Sequence, residues 1–230
     1  VARASIDVLE EALAQVPDDR PDLRARLAAR LAIALYFDRQ PDRVTELTAS
    51  ALATARALGE FPVLAAALEA RLWDTWRPDG VADRLAAADE LLAIARAQQA
   101  DEVATLARRW RVVALLEAGE IAECWAEIER HAADAVRLRL PYEQMYVAVF
   151  DSARAMLDGR LSDAMAGSAR VAAFGELRGG ADALQFGGVH LLSFAKLSGD
   201  LRPLVDGLRQ FVEGYPAIPG WRGALAYALA

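Results

Sequence analysis

Two histidines, one cysteine and several carboxylates are the residues of this sequence that could take part in chemistry. Glu127 and His131 are four residues apart, a spacing that places them on one face of a helix. A zinc site needs three or four ligands, so this single pair predicts an exposed structural pair and not a metal site. His190 is distant in sequence, and Cys124, the only cysteine, is interpreted as a small packing residue.

The sequence shows none of the patterns that define a catalytic centre. Such a centre would need a nucleophile with a base, a carboxylate pair, a metal cluster or a cofactor motif. The GxxxxGK[ST] phosphate loop of nucleotide-binding proteins is also missing. We therefore expect no catalytic residue, no cofactor and no metal, and we expect that this chain is not itself an enzyme.

The composition is that of a folded, acidic protein. Hydrophobic residues make up 55% and charged residues 26% of the 230 residues, which excludes a disordered chain. The net charge of -7 argues against direct binding to nucleic acid. No apolar run reaches the roughly 18–20 residues of a membrane span, and the single cysteine suits a reducing cytoplasm. Because the sequence begins without methionine and ends within a predicted helix, we expect a fragment of a longer protein.

A regular repeat, with a period of about 40 residues, organises the chain. Gly119, Gly159 and Gly199 recur at equal intervals of one period, and each precedes a short polar step and a new apolar-periodic run. Gly80 lies one position short of a full period before Gly119, and the QPDR segment at 40–43 forms a turn one period earlier. Each period reads as two helices, because apolar residues recur at spacings of three and four.

The predicted helices form two alternating sets. The first helices of the hairpins span residues 22–37, 63–76, 102–118, 142–158 and 181–198. The second helices span residues 42–58, 82–99, 121–138, 161–177 and 201–213. Residues 3–16 and 221–230 form a half repeat at each end. The prolines lie near predicted first turns or in connections, where they do not disrupt a helix.

These features predict an all-α fold with a single domain over residues 1–230. A helix hairpin cannot bury its apolar face alone, so successive hairpins must stack. We expect about five complete antiparallel hairpins, with the half repeats at both ends, in a right-handed superhelix. Such a superhelix has a concave side and contains no β-sheet.

The hairpin period and the alanine-rich second helices resemble the tetratricopeptide superfamily, although the period is longer than its roughly 34 residues. The segments at 73–78 (WDTWRP), 109–119 (RWRVVALLEAG) and 215–222 (YPAIPGWR) resemble the helical region of actinobacterial LuxR-type and cyclase-linked ATPase regulators of the signal-transduction NTPase class. In that family the nucleotide site lies in a separate ATPase domain. The resemblance implies a sensor or protein-interaction platform attached to other domains of the same chain.

Aromatic and arginine side chains on the first helices form the predicted binding site. First helices line the concave side of tetratricopeptide-like arrays, as the resemblance implies, and these residue types dominate binding hot spots. The predicted site comprises Arg71, Arg109, Trp110, Tyr146, Phe150, Phe186 and His190. It would suit an acidic or amphipathic peptide, or a small anionic ligand. The same residues could instead fill the core between hairpins.

Four glycines near position 180 carry separate expectations. Gly179 and Gly180 predict the end of a helix. Gly187 and Gly188 fall inside a predicted helix, where each glycine costs about 1 kcal/mol relative to alanine. Close packing against a neighbouring helix would offset this cost, and so would the close approach of a ligand or partner backbone.

The last predicted helix carries Trp221, Leu225 and Leu229 at four-residue spacing. Repeat arrays normally need polar caps at their ends. We therefore expect self-association through exposed terminal helices.

The leading functional interpretation is a ligand- or protein-binding sensor or scaffold module of a larger transcriptional or signalling regulator. A structural or oligomerisation array is the first alternative, and an α-helical enzyme is a more distant one. Expected partners are a protein, a peptide or a small ligand in the concave groove, with no direct contact to nucleic acid or membrane.

The missing phosphate loop predicts that the pure chain does not hydrolyse ATP. A phosphate-release assay checks this. Turnover that a point mutation within the chain abolishes would contradict the prediction.

Overall fold

The computed structural model describes residues 3–38, 40–178, 181–216 and 218–230, and over these ranges it contains helices and no β-strand. This confirms the all-α prediction. The predicted helix stop at Gly179 and Gly180 lies outside the described residues. Among the helices that are described, none is long and apolar enough to cross a membrane. The helices are α1 (Arg3–Gln15), α2 (Pro21–Leu35), α3 (Pro41–Leu58), α4 (Phe61–Asp74), α5 (Val81–Ala97), α6 (Asp101–Ala118), α7 (Ile121–Arg137), α8 (Pro141–Leu157), α9 (Leu161–Arg178), α10 (Ala181–Ser198), α11 (Val205–Gly214) and α12 (Pro219–Leu229).

Proline sets the start of several helices, and the observed helices follow the predicted ones closely. Pro21, Pro41 and Pro141 are the first residues of α2, α3 and α8, where a missing N–H is harmless. The largest difference is at α11, which begins at Val205 and not at Leu201. The cause is a short 3-10 turn, Arg202–Leu204, that contains Pro203 and precedes the helix.

Within the described residues, six helices end at a residue with left-handed backbone, and these ends lie on a regular grid of half a repeat. The first helices α6, α8 and α10 end at glycines with φ of 77°, 74° and 80°. The second helices α3, α5 and α7 end at positions 59, 99 and 139, with φ of 69°, 53° and 54°. The left-handed positions are Gly59, Gln99, Gly119, Arg139, Gly159 and Gly199. A left-handed residue turns the chain back directly after the last helical turn, so the predicted role of the three repeat glycines is confirmed.

Gly80 has a different role from the other turn glycines. Its φ is -98°, and the helix before it ends early, at Asp74, since Pro78 cannot continue a helix. The guanidinium of the fully buried Arg84 donates a hydrogen bond of 2.7 Å to the Thr75 carbonyl oxygen. A Cβ at Gly80 would overlap this same oxygen. Gly80, which lies one position off the repeat, is therefore explained by close packing of its backbone against the Thr75 carbonyl group and not by a left-handed conformation.

The chain divides into two compact units, Val1–Leu138 and Arg139–Ala230. The first unit contains α1 to α7, and consecutive helices within it pack on each other. Its core consists mainly of alanine and leucine, which allow helices to approach closely. Fully buried examples are Leu31, Leu35, Ala55, Ala67, Leu72, Ala88, Leu91 and Ala95.

The second unit contains α8 to α12 and holds two tight helix contacts. Helices α8 and α9 meet at Gly167, where a Cβ would lie 2.9 Å from the Ser152 Cβ. The Ser152 hydroxyl donates a hydrogen bond of 2.7 Å to the Ala164 carbonyl oxygen across the same contact. In the second contact, α12 packs Trp221 against Phe211 of α11, with ring centroids 4.3 Å apart.

Gln99 occupies a left-handed backbone conformation that favours glycine, and this position offers a test of the grid. Gln99→Gly should raise the free energy of unfolding by about 0.5–1 kcal/mol, because the relieved strain of roughly 1–2 kcal/mol exceeds the added chain entropy. Urea denaturation measures this. The matched control is Gly59→Ala, one period earlier, which should lower the same free energy by about 1 kcal/mol. Destabilisation by Gln99→Gly would mean that this helix end is not left-handed.

Candidate partner-binding surface

A row of aromatic rings joins α8 to α10 in the second unit. Tyr142, Tyr146 and Phe150 are spaced by four residues along one face of α8. The Tyr146 ring lies 5.3 Å from that of Tyr142 and 6.0 Å from that of Phe150. Phe186 of α10 meets Tyr146 edge to face at 5.3 Å. Tyr142 is exposed, Tyr146 and Phe186 are half-buried, and Phe150 is buried, so the row runs from the core to the surface.

A cleft of about 330 Å³ lies on the opposite face of α8, beside α9. The two helices touch tightly at Ser152 and Gly167, and the larger side chains Met145 and Phe174 line the cleft. Arg170 and Asp151 stand at the cleft with 3.8 Å between their charged atoms. The complete lining is Pro141, Gln144, Met145, Val147, Ala148, Asp151, Arg170, Phe174 and Leu177. An apolar cleft with few polar groups is typical of a ligand or side-chain pocket.

Exposed apolar side chains concentrate in the second unit. Most of the large hydrophobic side chains that are exposed in the described part of the chain lie on α8, α9, α10 and α12. Scattered exposed hydrophobics are normal, whereas a concentration of them marks an interaction surface. The members of this set are Tyr142, Leu157, Leu161, Met165, Leu177, Leu184, Val189, Leu191, Leu197, Tyr227 and Leu229.

In the first unit, the predicted site residue Trp110 belongs to a packed aromatic cluster. Its ring lies 5.1 Å from that of Trp73 and 5.4 Å from that of Trp76. Tyr36 stacks on Trp76 and donates a hydrogen bond of 2.9 Å to the Trp76 carbonyl oxygen. Burial raises the pKa of the Tyr36 phenol above its usual range. Since Trp110 is only 4% exposed, it contributes to the core of this unit.

Arg71 is bound to carboxylates of its own chain. Its guanidinium contacts Asp74 at 2.9 Å and Asp83 at 2.8 Å, and Asp74 also accepts a hydrogen bond of 2.7 Å from the Thr45 hydroxyl. Arg109, the neighbour of Trp110 in the predicted site, is buried. The positive charge of Arg71 is therefore balanced within the first unit, which weakens the expectation of an acidic or small anionic ligand.

The structure corrects the prediction of an accessible groove lined by seven residues. Arg109, Trp110, Phe150 and His190 are between 4% and 7% exposed, so in this conformation they cannot line an open groove. The prediction was wrong for these four because their spacing fits a helix face that packs against a neighbour as well as one that faces solvent. Tyr146 and Phe186 are in contact in the second unit, and Arg71 is 30% exposed in the first.

The interpretation of Glu127 and His131 as an exposed pair was wrong. They are 2% and 0% exposed. The Glu127 carboxylate accepts hydrogen bonds from Arg108 at 2.6 Å and Arg130 at 2.8 Å. Burial alone would raise the pKa of Glu127, but these arginines hold it below the usual range. Arg130 lies on the same helix as Glu127, three residues later, whereas Arg108 lies on α6, so the sequence spacing did not reveal the contact with Arg108. Cys124 is fully buried, as predicted.

The two adjacent glycines of α10 differ in their surroundings. A Cβ at Gly188 would lie 2.8 Å from Trp221 Cη2 and 3.0 Å from Phe211 Cζ, so close packing explains this glycine. A Cβ at Gly187 would have no atom within 4 Å in the described structure. The packing interpretation is therefore confirmed for Gly188 alone.

Sequence analysis missed the cleft residues Phe174, Leu177 and Arg170. Their signal was present: Phe174 and Leu177 are three residues apart and therefore share a side of α9. The predicted site used only the first helices of the hairpins, whereas the cleft is also lined by α9, the second helix of its hairpin.

The buried His190 should make the second unit sensitive to acid. Burial lowers the pKa of its imidazole below the usual 6.5. The unfolded chain therefore binds a proton more readily than the folded chain, and stability falls as the pH drops below about 6.5. We expect the melting temperature to fall between neutral pH and about pH 5.5, and to fall less in His190→Phe and His190→Gln. An unchanged pH dependence in both variants would contradict the assignment.

Comparisons of the chain with protein-family models, with curated proteins and with solved structures gave no match.

Proposed function

We propose that this chain is a helical-repeat binding module, a sensor or scaffold that belongs to a larger cytoplasmic regulator of transcription or signalling. We further propose that its hairpins form a right-handed, tetratricopeptide-like superhelix. The support for this arrangement is the regular grid of left-handed helix ends, which gives hairpins of equal length. The attached ATPase and effector domains that the family resemblance implies are part of the same proposal.

One observation carries the proposed binding function: the concentration of exposed apolar side chains in the second unit. Over the described residues, only Val8, Ile121 and Val136 are large exposed hydrophobics of Val1–Leu138, whereas all the others lie in the shorter unit Arg139–Ala230. Exposed apolar area costs free energy in water, and this cost is offset when a partner covers the area. The cleft between α8 and α9 is a concave site within the same unit, and Leu177 belongs both to its lining and to the exposed apolar set.

The cleft favours an amphipathic peptide as the partner. Met145, Val147 and Phe174 offer contacts for an aliphatic or aromatic side chain, and a volume of about 330 Å³ suits one or two of them. Arg170 is 57% exposed and can donate hydrogen bonds to a carboxylate of the peptide at the edge of the cleft. The purely acidic ligand that sequence analysis also allowed is less favoured, because Arg71 is already bound to Asp74 and Asp83.

The alternatives are a structural or oligomerisation array and, more distantly, an α-helical enzyme. Exposed apolar helix faces also support association between copies of the chain, so the first alternative is compatible with a binding module. Nucleic acid and membrane are not among the proposed partners.

Leu177→Ser tests the cleft. Peptides selected from a displayed library on the wild-type chain should be amphipathic, and Leu177→Ser should weaken their binding about tenfold, because burial of one leucine contributes roughly 1.5–3 kcal/mol. Fluorescence anisotropy measures this. The fold should be unaffected, since Leu177 is 83% exposed.

Leu157→Ser is the matched control. Leu157 is also a leucine at the end of a helix and is 63% exposed, but it does not line the cleft. Its replacement should leave peptide binding unchanged. Equal weakening by both substitutions would place the binding site elsewhere.

A further inference from the structure

Gly187 weakens α10 without any packing reason within the described structure. Glycine in a helix interior is less favourable than alanine, because it loses more backbone freedom on folding. The neighbouring Gly188 is required by Trp221 and Phe211, whereas a methyl group at Gly187 would enter open space. Nothing in the described part of the folded chain therefore explains a glycine at this position.

Two exposed leucines flank Gly187 on the same side of α10. Leu184 precedes it by three residues and Leu191 follows it by four, and these spacings place all three residues on one helix face. Leu184 is 57% and Leu191 is 55% exposed. The face therefore has a notch at its centre and an apolar side chain on each side. We refer to Leu184, Gly187 and Leu191 as the notch face.

The notch face is complementary to itself. If two copies of α10 cross in antiparallel orientation about a two-fold axis near Gly187, Leu184 of one copy lies opposite Leu191 of the other. The missing Cβ at Gly187 lets the two backbones approach closely, as small residues do at other helix crossings. A two-fold contact of this kind closes on itself and forms a dimer, not a fibre.

The distribution of charge favours a second copy over an unrelated partner. Two chains of net charge -7 repel each other, and an ionisable residue near a two-fold axis would face the same charge on the other copy. Between positions 183 and 195, His190 is the only ionisable residue, and it is buried at 4% exposure. The notch face thus avoids like charges at the axis, and it offers no charged group by which it could select a different protein.

We propose that this chain forms a weak homodimer through antiparallel docking of α10 on α10 of a second copy, centred on Gly187. A single helix pair covers less than the roughly 1,200 Å² that stable interfaces bury, so the dimer should form only at high chain concentration. The notch face is separate from the cleft between α8 and α9, and peptide binding there can fail without affecting this dimer.

Sedimentation equilibrium of the 230-residue chain, from micromolar to millimolar concentration, tests the proposal. The wild type should dimerise. Gly187→Ala should raise the melting temperature, since alanine favours the helix, and should weaken dimerisation about tenfold or more because each copy adds a methyl group at the crossing. A monomeric wild type, or a dimer of undiminished affinity in Gly187→Ala, would overturn the proposal.

Gly188→Ala is the matched neighbour and should behave in the opposite way. Its methyl group would lie 2.8 Å from Trp221, so it should lower the melting temperature. Leu229→Ser distinguishes the notch face from the terminal helix α12, where Leu229 is 60% exposed. This variant should dimerise like the wild type, and loss of the dimer would locate the interface on α12 instead.

A charge pair tests the antiparallel orientation. Leu184→Glu and Leu191→Lys should each weaken the dimer, because each places a charge opposite a leucine of the second copy. The chain that carries both changes should recover dimerisation, since the new carboxylate then faces the new ammonium group twice. Failure of the double variant to recover, while its helical signal is intact, would exclude the antiparallel pairing.

Discussion

The regular spacing of the helix ends is the constraint on which the rest of this structure depends. Left-handed residues end helices at positions 59, 99, 119, 139, 159 and 199, all on one regular grid. A left-handed residue fixes both where the helix stops and where the next one can start. Equal spacing of the helix ends places equivalent residues at equivalent heights in successive repeats, so side chains one full repeat apart, such as Tyr146 and Phe186, come into contact. The helix that would end on this grid near position 79 stops at Asp74 instead. The buried Arg84 donates a hydrogen bond to the Thr75 carbonyl oxygen in the connection that follows.

The two units differ in how their charged groups are paired and in how much apolar surface they expose. In the first unit, arginines are balanced by carboxylates of neighbouring elements, as Arg71 is by Asp83 and Arg108 is by Glu127. Charges that are paired in this way contribute little to the recognition of an external anion. In the second unit, apolar side chains such as Leu177 and Leu191 lie in solvent. Over the described residues, the first unit therefore exposes fewer large apolar side chains than the second.

The adjacent glycines of α10 show how stability and recognition can conflict at the level of single residues. Gly188 is needed for the fold, because the Trp221 ring occupies the space of a side chain. At Gly187 helix propensity alone would favour alanine, and the proposed dimer contact would offset the cost of the glycine. Glycine at these two consecutive positions thus has two physical explanations. The contacts that a Cβ would make at each position distinguish between them.

The sequence by itself determined the helices, because their ends depend on local chemistry. Proline at the first turn, glycine after the last turn and the spacing of apolar residues act within a few residues of each other, and they predicted every α-helix that the described part of the chain contains. The left-handed ends at Gln99 and Arg139 carry no glycine, but the distance of one full repeat from Gly59 would have indicated the first of them. Which face of a helix meets solvent was decided by the tertiary structure. Trp110 and His190 have the residue types of a binding site, yet they are buried. Glu127 has the type of a surface residue, yet it is buried and accepts a hydrogen bond from Arg108 of the preceding helix. The physical reason is that burial depends on which helices come together in space, and a regular repeat gives both the packed face and the exposed face of a helix the same periodicity.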